Sequence, residues 1–370
     1  MSNNTSLNTK DGAPTSGTDG FYLTPPIGFT IFELCVFIII GLLGVVGNVI
    51  VCATIIRRPQ VLSAMSQYLL SLAFADLGVL LFILPVGVLR VHYPYEWVLG
   101  KALCLYITPI SELFFTASVW SITTIAVERY ANIAWKMMRI GGSRSVKRSR
   151  LIIIAIWVMS FVTASLPVYI QRVYDSHGRR CYAPFPKTVR RGLVTLNATL
   201  QYFLPLSITT FCYQRIGKRV SERSRLFQHE TEAELQAKDS SSVMNTKAIM
   251  QQTKKTQRIL KPLVILFALT MLPLNVFNLV TAYWEKFFYQ DFAILLVSAV
   301  LVSTCTNSAA DPLVYCIVSK EFRTEIKSML SCCFRRRFGK HKQRDSTLMN
   351  TRRSQGTNES VLSDQNETKL

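Results

Sequence analysis

The chain alternates between long apolar blocks and short polar stretches. A helix that crosses the ~30 Å hydrocarbon core of a bilayer needs about 20 mostly apolar residues, because each residue rises about 1.5 Å. Seven blocks of the 370-residue chain meet this requirement. We predict seven membrane helices, named the first to the seventh span, at residues 34–56, 68–89, 102–127, 151–170, 192–213, 262–284 and 292–318.

Charged residues are rare inside these blocks. Four blocks contain none, and the second, third and seventh each carry a single acid, which is Asp76, Glu112 and Asp311 respectively. Over the whole chain 49% of residues are hydrophobic and 17% are charged. This distribution is typical of a polytopic membrane protein, and it excludes a soluble chain of two or three domains. The predicted fold class is an all-α membrane protein, a bundle of seven transmembrane helices.

The distribution of basic residues predicts the orientation. Residues 1–28 are polar and lack the apolar core of a cleaved signal peptide, so they form an N-terminal tail before a membrane domain at 29–331. Most of the 42 Lys and Arg residues fall in segments that are cytoplasmic if the N-terminus lies outside. Because basic residues favour the cytoplasmic side, we predict an extracellular N-terminus and a cytoplasmic C-terminus.

The net charge of +20 has two interpretations, nucleic acid or membrane lipid. The basic residues flank the spans, which favours anionic lipid of the inner leaflet and argues against nucleic acid. After the seventh span, residues 319–331 place Phe322 and Ile326 at helical spacing among basic residues, which predicts a short amphipathic eighth helix. The next two residues, Cys332 and Cys333, are candidates for palmitoylation.

Both termini carry candidate modification or docking sites. Asn3 and Asn4 begin overlapping glycosylation sequons in the predicted extracellular tail. The cytoplasmic tail, residues 332–370, is rich in Ser and Thr that phosphorylation would turn into an arrestin site. The chain ends in a pattern read by PDZ domains, with Thr368 and Leu370 in the key positions, although four residues can also match by chance.

Two of the nine cysteines lie in predicted extracellular positions. Cys104 is at the outer end of the third span, and Cys181 is in the second outer loop. A disulfide between them would hold that loop over the bundle in an oxidising compartment, and the alternative is two unrelated thiols.

Short motifs recur inside the spans in a fixed order. They are Gly47-Asn48-Val49, Leu72-Ala73-Phe74-Ala75-Asp76, Glu128-Arg129-Tyr130, Trp157, Pro205 with Tyr213, Phe267 with Pro273, and Asp311-Pro312-Leu313-Val314-Tyr315. Over roughly residues 30–330 this series resembles the rhodopsin-like (class A) G-protein-coupled receptors, and the chain is most similar to neuropeptide receptors. The resemblance implies a plasma-membrane receptor that activates a heterotrimeric G protein.

The resemblance assigns roles near the cytoplasmic end. Glu128 and Arg129 form a pair that is closed at rest, and on activation Arg129 turns toward Tyr213 and Tyr315 while the sixth span moves outward. The opening receives the G protein, against which Met137 is predicted to pack. The full coupling set is Glu128, Arg129, Tyr130, Met137, Tyr213 and Tyr315.

The resemblance also implies an intramembrane polar core. An ionisable group in hydrocarbon must be paired or hydrated, so Asp76 and Asp311 are predicted to face the bundle interior. Two interpretations stay open: a site for an allosteric sodium ion at Asp76 and Ser118, or a hydrogen-bonded packing network without an ion. The predicted core comprises Asn48, Asp76, Ser118, Asn307, Ser308 and Asp311.

The helix switches depart from the family pattern at one position. Met271 stands where the family usually has Trp, and a flexible thioether cannot act as the same rigid rotamer switch. Pro205, Pro273 and Pro312 each remove a backbone hydrogen bond and predict a kink. The switch set is Phe267, Met271, Pro273 and Pro312.

The ligand is predicted by exclusion and by charge. Ser111 stands where amine receptors carry Asp, which disfavours a monoamine, and the seventh span has no Lys for retinal. Residues 171–191 carry six basic residues and one acid, a loop that either attracts acidic ligand groups or is simply solvated. We predict a neuropeptide, with a lipid or other small non-amine molecule as the alternative. The candidate pocket comprises Ser111, Glu112, Tyr182, Gln201, Asn275 and Asn278.

Other classes fit the chain poorly. Seven unlike spans lack the internal repeats of a transporter, which is the remote alternative. The four His residues are scattered without metal-ligand spacing, so no enzyme and no cofactor are predicted apart from the sodium ion.

Overall fold

The computed structural model describes residues 27–57, 64–93, 96–137, 146–229, 240–284, 287 and 293–318. Within them the chain forms seven long helical segments that correspond to the seven predicted spans. Four spans are single α-helices: α1 (Ile27–Ile56) is the first, α4 (Gly100–Met137) the third, α9 (Ser240–Tyr283) the sixth and α10 (Ala293–Val318) the seventh.

The other three spans each contain a π turn. The second span consists of α2 (Ala64–Gly78), the turn Val79–Ile83 and α3 (Leu84–His92). The fourth consists of α5 (Val146–Ser160), the turn Phe161–Ser165 and α6 (Leu166–Gln171), and the fifth of α7 (Lys187–Ala198), the turn Thr199–Phe203 and α8 (Leu204–His229).

Each of these π turns ends two residues before a proline: Pro85, Pro167 or Pro205. The residue that precedes the proline donates its backbone N–H to the carbonyl five residues earlier, as Leu204 does to Thr199. Proline has no N–H, and its ring collides with the carbonyl four residues back, so one wider turn relieves the conflict. The sequence predicts a kink at Pro205, but it does not predict the π turn.

Five of the described helical segments are long and apolar enough, by length and composition, to cross a membrane. They are Ile27–Ile56, Ala64–His92, Gly100–Asn132, Val146–Gln171 and Lys261–Tyr283. The fifth and seventh spans pack against them, α8 on α4 and α10 on both α1 and α9. The predicted all-α bundle is confirmed.

The first and seventh spans approach each other closely at two glycines. A Cβ atom at Gly44 would lie 2.8 Å from Cβ of Ala309, and one at Gly47 would lie 2.9 Å from Cβ of Pro312. Only a residue without a side chain fits at these contacts, because packed interiors leave no free volume. The two helices therefore run in the same direction, with their contacts three residues apart in each helix.

The third span is held by hydrogen bonds from its neighbours. Trp157 in the fourth span donates its indole N–H to the hydroxyl of Ser71 in the second span at 3.1 Å. That hydroxyl lies 3.5 Å from the hydroxyl of Ser121 in the third span. Trp157 also packs edge-on to Phe114, with ring centroids 5.5 Å apart. One polar chain thus links three spans.

The element boundaries differ from the predicted ones at the start of the first span and in the loops on both sides of the bundle. The first helix begins at Ile27, so Glu33 lies inside it, whereas the predicted span begins after that residue. The loop predicted at 171–191 contains β1 (Val173–Asp175) paired antiparallel with β2 (Arg180–Tyr182), and α7 already begins at Lys187. On the inner side, the fifth and sixth spans extend well beyond their predicted ends, since α8 reaches His229 and α9 starts at Ser240.

Several predicted features lie outside the described residues. These are the sequons at Asn3 and Asn4, the amphipathic helix at 319–331, the cysteines Cys332 and Cys333, and the tail with Thr368 and Leu370.

Candidate functional site

A disulfide and a β-hairpin cover one end of the bundle, which we name the Cys104 end. Cys104 and Cys181 are bonded, with Cα atoms 5.7 Å apart, as the sequence predicts. The pair anchors strand β2 to the start of the third span. Arg179 ends the hairpin turn with a φ of 46°, a left-handed conformation that is uncommon outside glycine. Its carbonyl accepts a hydrogen bond from the backbone N–H of Trp97 at 2.6 Å, which holds the turn against the neighbouring loop.

A cavity of about 350 Å³ opens beside this hairpin. Its walls carry two cations, two acids and two aromatic rings together with the disulfide. Arg90 stacks over the Trp97 ring at 5.0 Å from its centroid, while Glu96 forms an ion pair with Arg179 at 3.7 Å. Tyr182, a predicted ligand residue, is one of the lining residues. The cavity is lined by Arg90, Glu96, Trp97, Asp175, Arg180, Cys181 and Tyr182.

Glu112 lies deeper in the bundle and is half-buried. It interacts with the side chain of Gln201 and with the charge of Arg172 at the start of the hairpin loop. Burial lowers the pKa of the Arg172 guanidinium, the charge of Arg90 acts in the same direction, and Glu112 opposes both. The Nε atom of Arg172 is buried without a hydrogen-bond partner in the described part of the chain. Glu112, Gln201 and the loop cation therefore form one cluster.

The remaining predicted ligand residues are dispersed. Ser111 is buried and donates its hydroxyl to the carbonyl of Ile107 at 2.7 Å within its own helix. Asn275 is buried and donates its amide to the carbonyl of Met271 at 2.8 Å, whereas Asn278 is exposed. Gln201 donates to the hydroxyl of Thr116 at 2.9 Å. The hydrogen-bond donors of Ser111 and Asn275 are therefore satisfied by carbonyls of their own helices.

Two basic residues that the sequence assigns to the loop instead bind the end of the sixth span. Arg190 donates to the carbonyl of Thr281 at 3.3 Å, and Arg191 donates to that of Ala282 at 3.2 Å. Arg191 also lies over the ring of Tyr283, whose hydroxyl is 3.0 Å from that of Thr195. Cations at a helix C-terminus satisfy its free carbonyls and its dipole. We name this contact the Arg191 clasp.

The predicted polar core is assembled in the middle of the bundle. Ser118 donates to Oδ1 of Asp76 at 2.7 Å, and Asp76 is completely buried. Asn48 donates to the carbonyls of Gly44 and Ser308, each at 3.0 Å, which ties the first span to the seventh. Oδ2 of Asp76 and both carboxyl oxygens of Asp311 are buried without a hydrogen-bond partner within the described ranges. The geometry leaves three carboxyl oxygens unsatisfied in one place.

Asn307 connects this core to the sixth span. It accepts a hydrogen bond from the hydroxyl of Thr270 at 3.2 Å, and Ser303 donates to the carbonyl of Thr270 at 2.9 Å. Thr270 precedes the predicted switch residue Met271, which is buried with Phe267 in the main apolar core. Pro273 and Pro312 lie inside their helices, as predicted.

The opposite end of the bundle, named the Arg129 end, gathers most of the predicted coupling residues. Glu128 is buried and accepts a hydrogen bond from Asn132 at 3.1 Å. Arg129 interacts electrostatically with Tyr213 and with Glu128. The Tyr130 ring packs against Phe211, with centroids 6.3 Å apart, and beneath Arg219. Met137 is the last residue of α4, and Tyr315 lies in the final turn of α10.

The sequence that forms these seven helical spans matches the model of a protein family. The family model for the "7 transmembrane receptor (rhodopsin family)" covers residues 47–315. The chain belongs to this family. As a member of the rhodopsin family it is a G-protein-coupled receptor of the membrane, not an enzyme and not a transporter, as the sequence predicts.

Known rhodopsin-family receptors resemble the chain along most of its length. Galanin receptor type 1 of Rattus norvegicus is 26% identical over 310 residues, covering 81% of this chain and 82% of the relative. Galanin receptor type 1 of Homo sapiens is 26% identical over 333 residues, with 87% and 85% coverage. Neuromedin-U receptor 2 of Homo sapiens is 27% identical over 326 residues, with 85% and 74% coverage.

Sequence reasoning missed two features of this receptor. Arg172, Glu96 and Trp97 belong to the cluster at the Cys104 end but were left out of the predicted pocket, although Arg172 was counted in the basic loop. Glu33 was missed because a polar residue beside a predicted span is ordinarily assigned to the boundary.

Proposed function

We propose that this receptor binds an extracellular peptide at the Cys104 end and activates a heterotrimeric G protein at the Arg129 end. The observation that carries the proposal is the charged mouth beside the hairpin, with a buried Arg172 Nε atom that lacks a hydrogen-bond partner among the described residues. A carboxylate or carbonyl of a peptide would satisfy this donor, because charged hydrogen bonds are the strongest ones available. The relatives named above are receptors for galanin and for neuromedin U, and we propose a ligand of the same class for this chain.

The proposed orientation places the Cys104 end and the N-terminus outside the cell. A disulfide persists in an oxidising environment such as the extracellular side. The excess of Lys and Arg on the other side of the spans favours the same orientation.

The proposed mechanism is a shift between bundle conformations. Peptide bound to the mouth selects the state in which the inner part of the sixth span is displaced, and that state admits the G protein. Arg129 already interacts with Tyr213, the direction in which activation is expected to turn it. Thr270 links the sixth span to Ser303 and Asn307, so a movement at the mouth passes directly to the polar core.

A sodium ion is part of the proposal. Asp76 and Asp311 together offer three buried carboxyl oxygens without partners in the described ranges, beside the hydroxyl of Ser118. A hard cation prefers such oxygen ligands, and it would offset two buried acids that otherwise repel each other. The residues fit the ion, which would stabilise the resting bundle.

Other partners remain predictions from the sequence. We propose arrestin for the phosphorylated tail and a PDZ-domain protein for Thr368 and Leu370, with glycans at Asn3 and Asn4 and palmitoyl chains at Cys332 and Cys333. Removing Leu370 is expected to abolish capture of a PDZ array by the tail peptide, and undiminished capture would reject that partner.

The decisive experiment measures G-protein activation in cells across the main subtypes, against a panel of amidated and acidic neuropeptides. Arg129→Ala should abolish the response at unchanged surface expression. Arg172→Gln should lower peptide potency about 10- to 100-fold, because a charged hydrogen bond contributes about 1.5–3 kcal/mol. Lys101→Gln is the matched control, an exposed cation at the same end that does not line the cavity. Silence toward all peptides with a response to a lipid or other small molecule would replace the ligand class.

A further inference from the structure

Two buried polar side chains near the Cys104 end have no role in the sites described above. Glu33 in the first span is 6% exposed and Ser298 in the seventh span is 5% exposed. Oε1 of Glu33 and Oγ of Ser298 lack hydrogen-bond partners among the residues that the structure describes. Leaving a buried carboxylate or hydroxyl unsatisfied costs about 1–3 kcal/mol or more. Two such groups are unusual enough to require an explanation.

The packing of the first and seventh spans places Glu33 and Ser298 next to each other. Gly44 faces Ala309, and Gly47 faces Pro312, so the helices run parallel with equal steps. Eleven residues before Gly44 and Ala309 are Glu33 and Ser298, respectively. Eleven residues make about three helical turns, so both side chains lie on the facing sides of their helices and at the same height.

The second span closes the third side of this position. Phe37, one turn below Glu33, packs in an apolar cluster with Val91 of the second span and Leu301 of the seventh span. A Cβ atom at Gly87 would lie 2.4 Å from Leu301, so the second and seventh spans are also in close contact here. Glu33 and Ser298 therefore lie directly above an apolar floor where three spans meet.

We propose that Glu33 and Ser298 form a binding site for an ammonium or guanidinium group of the extracellular ligand. A carboxylate supplies the countercharge, a hydroxyl oxygen accepts a second hydrogen bond, and the apolar floor excludes competing water. Ionisable groups within membrane spans usually mark ligand or ion pathways for the same reason. This inference rests on the proposed function. It adds that the peptide carries a cationic group as well as the acidic or carbonyl group held by Arg172.

The proposal is tested without any agonist, by the reactivity of a cysteine introduced by Ser298→Cys. The receptor also carries Cys35→Ala, because Cys35 is an exposed thiol near Glu33. The rates of modification by cationic aminoethyl and anionic sulfonatoethyl methanethiosulfonate are read by mass spectrometry. The ratio of the two rates cancels any effect of Glu33 on the thiol itself.

The expected result is faster reaction with the cationic reagent, and a ratio that falls at least about five-fold with Glu33→Gln, because one nearby charge is lost. Glu33→Asp retains the charge and should retain most of the preference. Glu222→Gln is the control, an exposed acid of the fifth span that pairs with Lys218 outside the ligand site and should leave the ratio unchanged. Millimolar butylammonium should slow the cationic reaction with Glu33 present and not with Glu33→Gln.

Two results would overturn the site. No reaction with either reagent would mean a closed packing contact, and a ratio indifferent to Glu33→Gln would mean that Glu33 does not act on a cation at Ser298. The peptide screen fails or succeeds independently of both, so the two proposals are separable.

Discussion

Ser118 donates its hydroxyl to Oδ1 of Asp76 at 2.7 Å, and the other oxygen of this carboxylate has no partner within the described ranges. The half-satisfied acid at the centre of the bundle leads to the first prediction. Sodium should raise the melting temperature of the purified receptor in a saturable manner, with choline as the control cation. At a hundred times its Kd, an ion that binds only the folded state adds about 2.7 kcal/mol.

Asp76→Asn should abolish this sodium effect, because it removes the charge and keeps the shape. Ser118→Ala should weaken it without abolishing it. An equal rise in melting temperature in sodium and choline would instead support the packing network without an ion.

Gly44→Ala should destabilise the receptor by about 1–3 kcal/mol, since the new methyl group collides with Ala309 and Leu80. Gly192→Ala is the matched control, because a Cβ atom there would meet nothing within 4 Å. Thermal unfolding of both variants in the same detergent makes the comparison. Equal melting temperatures would contradict the close approach of the first and seventh spans.

Replacing both cysteines of the outer disulfide, as Cys104→Ala with Cys181→Ala, should lower stability by about 4 kcal/mol. The bond closes a loop between positions 77 residues apart, and the entropy of the unfolded chain rises when that loop opens. Differential scanning fluorimetry measures the shift, with Cys52→Ala as a control for loss of a thiol outside any disulfide. If the binding free energy of the peptide falls by more than the free energy of unfolding, the hairpin forms part of the mouth.

Arg191→Ala should destabilise the receptor by about 1–3 kcal/mol through the loss of a charged hydrogen bond and a cation–π contact. Hydrogen exchange should accelerate at the backbone around Ala282 and Tyr283, where the clasp holds the helix end. Lys101→Ala, an exposed cation at the same end, should change stability by less than about 0.5 kcal/mol. Unchanged exchange at Ala282 would contradict the contact.

The spans and their motifs were predictable because hydrocarbon imposes a strict length and polarity on every crossing helix. The disulfide was predictable because Cys104 and Cys181 are the two cysteines in predicted extracellular positions. The polar core followed from the cost of an acid in lipid, which forces Asp76 and Asp311 inward.

The details of the Cys104 end were not predictable in the same way. Whether Arg190 and Arg191 face a ligand or a helix end depends on where the sixth span finishes relative to the fifth, and composition does not encode that register. Glu33 lies one residue before the predicted span. Its burial depends on how the first and seventh spans pack at Gly44 and Gly47, about three to four turns further along the helix. The π turns illustrate the same limit, because a proline predicts a break but not its geometry.

Pro273 divides the sixth span into a short outer arm and a long inner arm, and the Arg191 clasp holds the short one. The clasp fastens the outer end to the fifth span at Ala282, and the helix continues through Pro273 to Ser240. The hydrogen bonds between Thr270 and the seventh span lie within one turn of Pro273, close to the pivot. The inner arm is about 50 Å long at about 1.5 Å per residue, so a tilt of about 10° at the proline moves its tip by about 9 Å. The arm from Pro273 to Ala282 is only about 14 Å long, so the same tilt requires a displacement of about 2 Å at the outer end. In the proposed mechanism, this small movement produces the opening that admits the G protein.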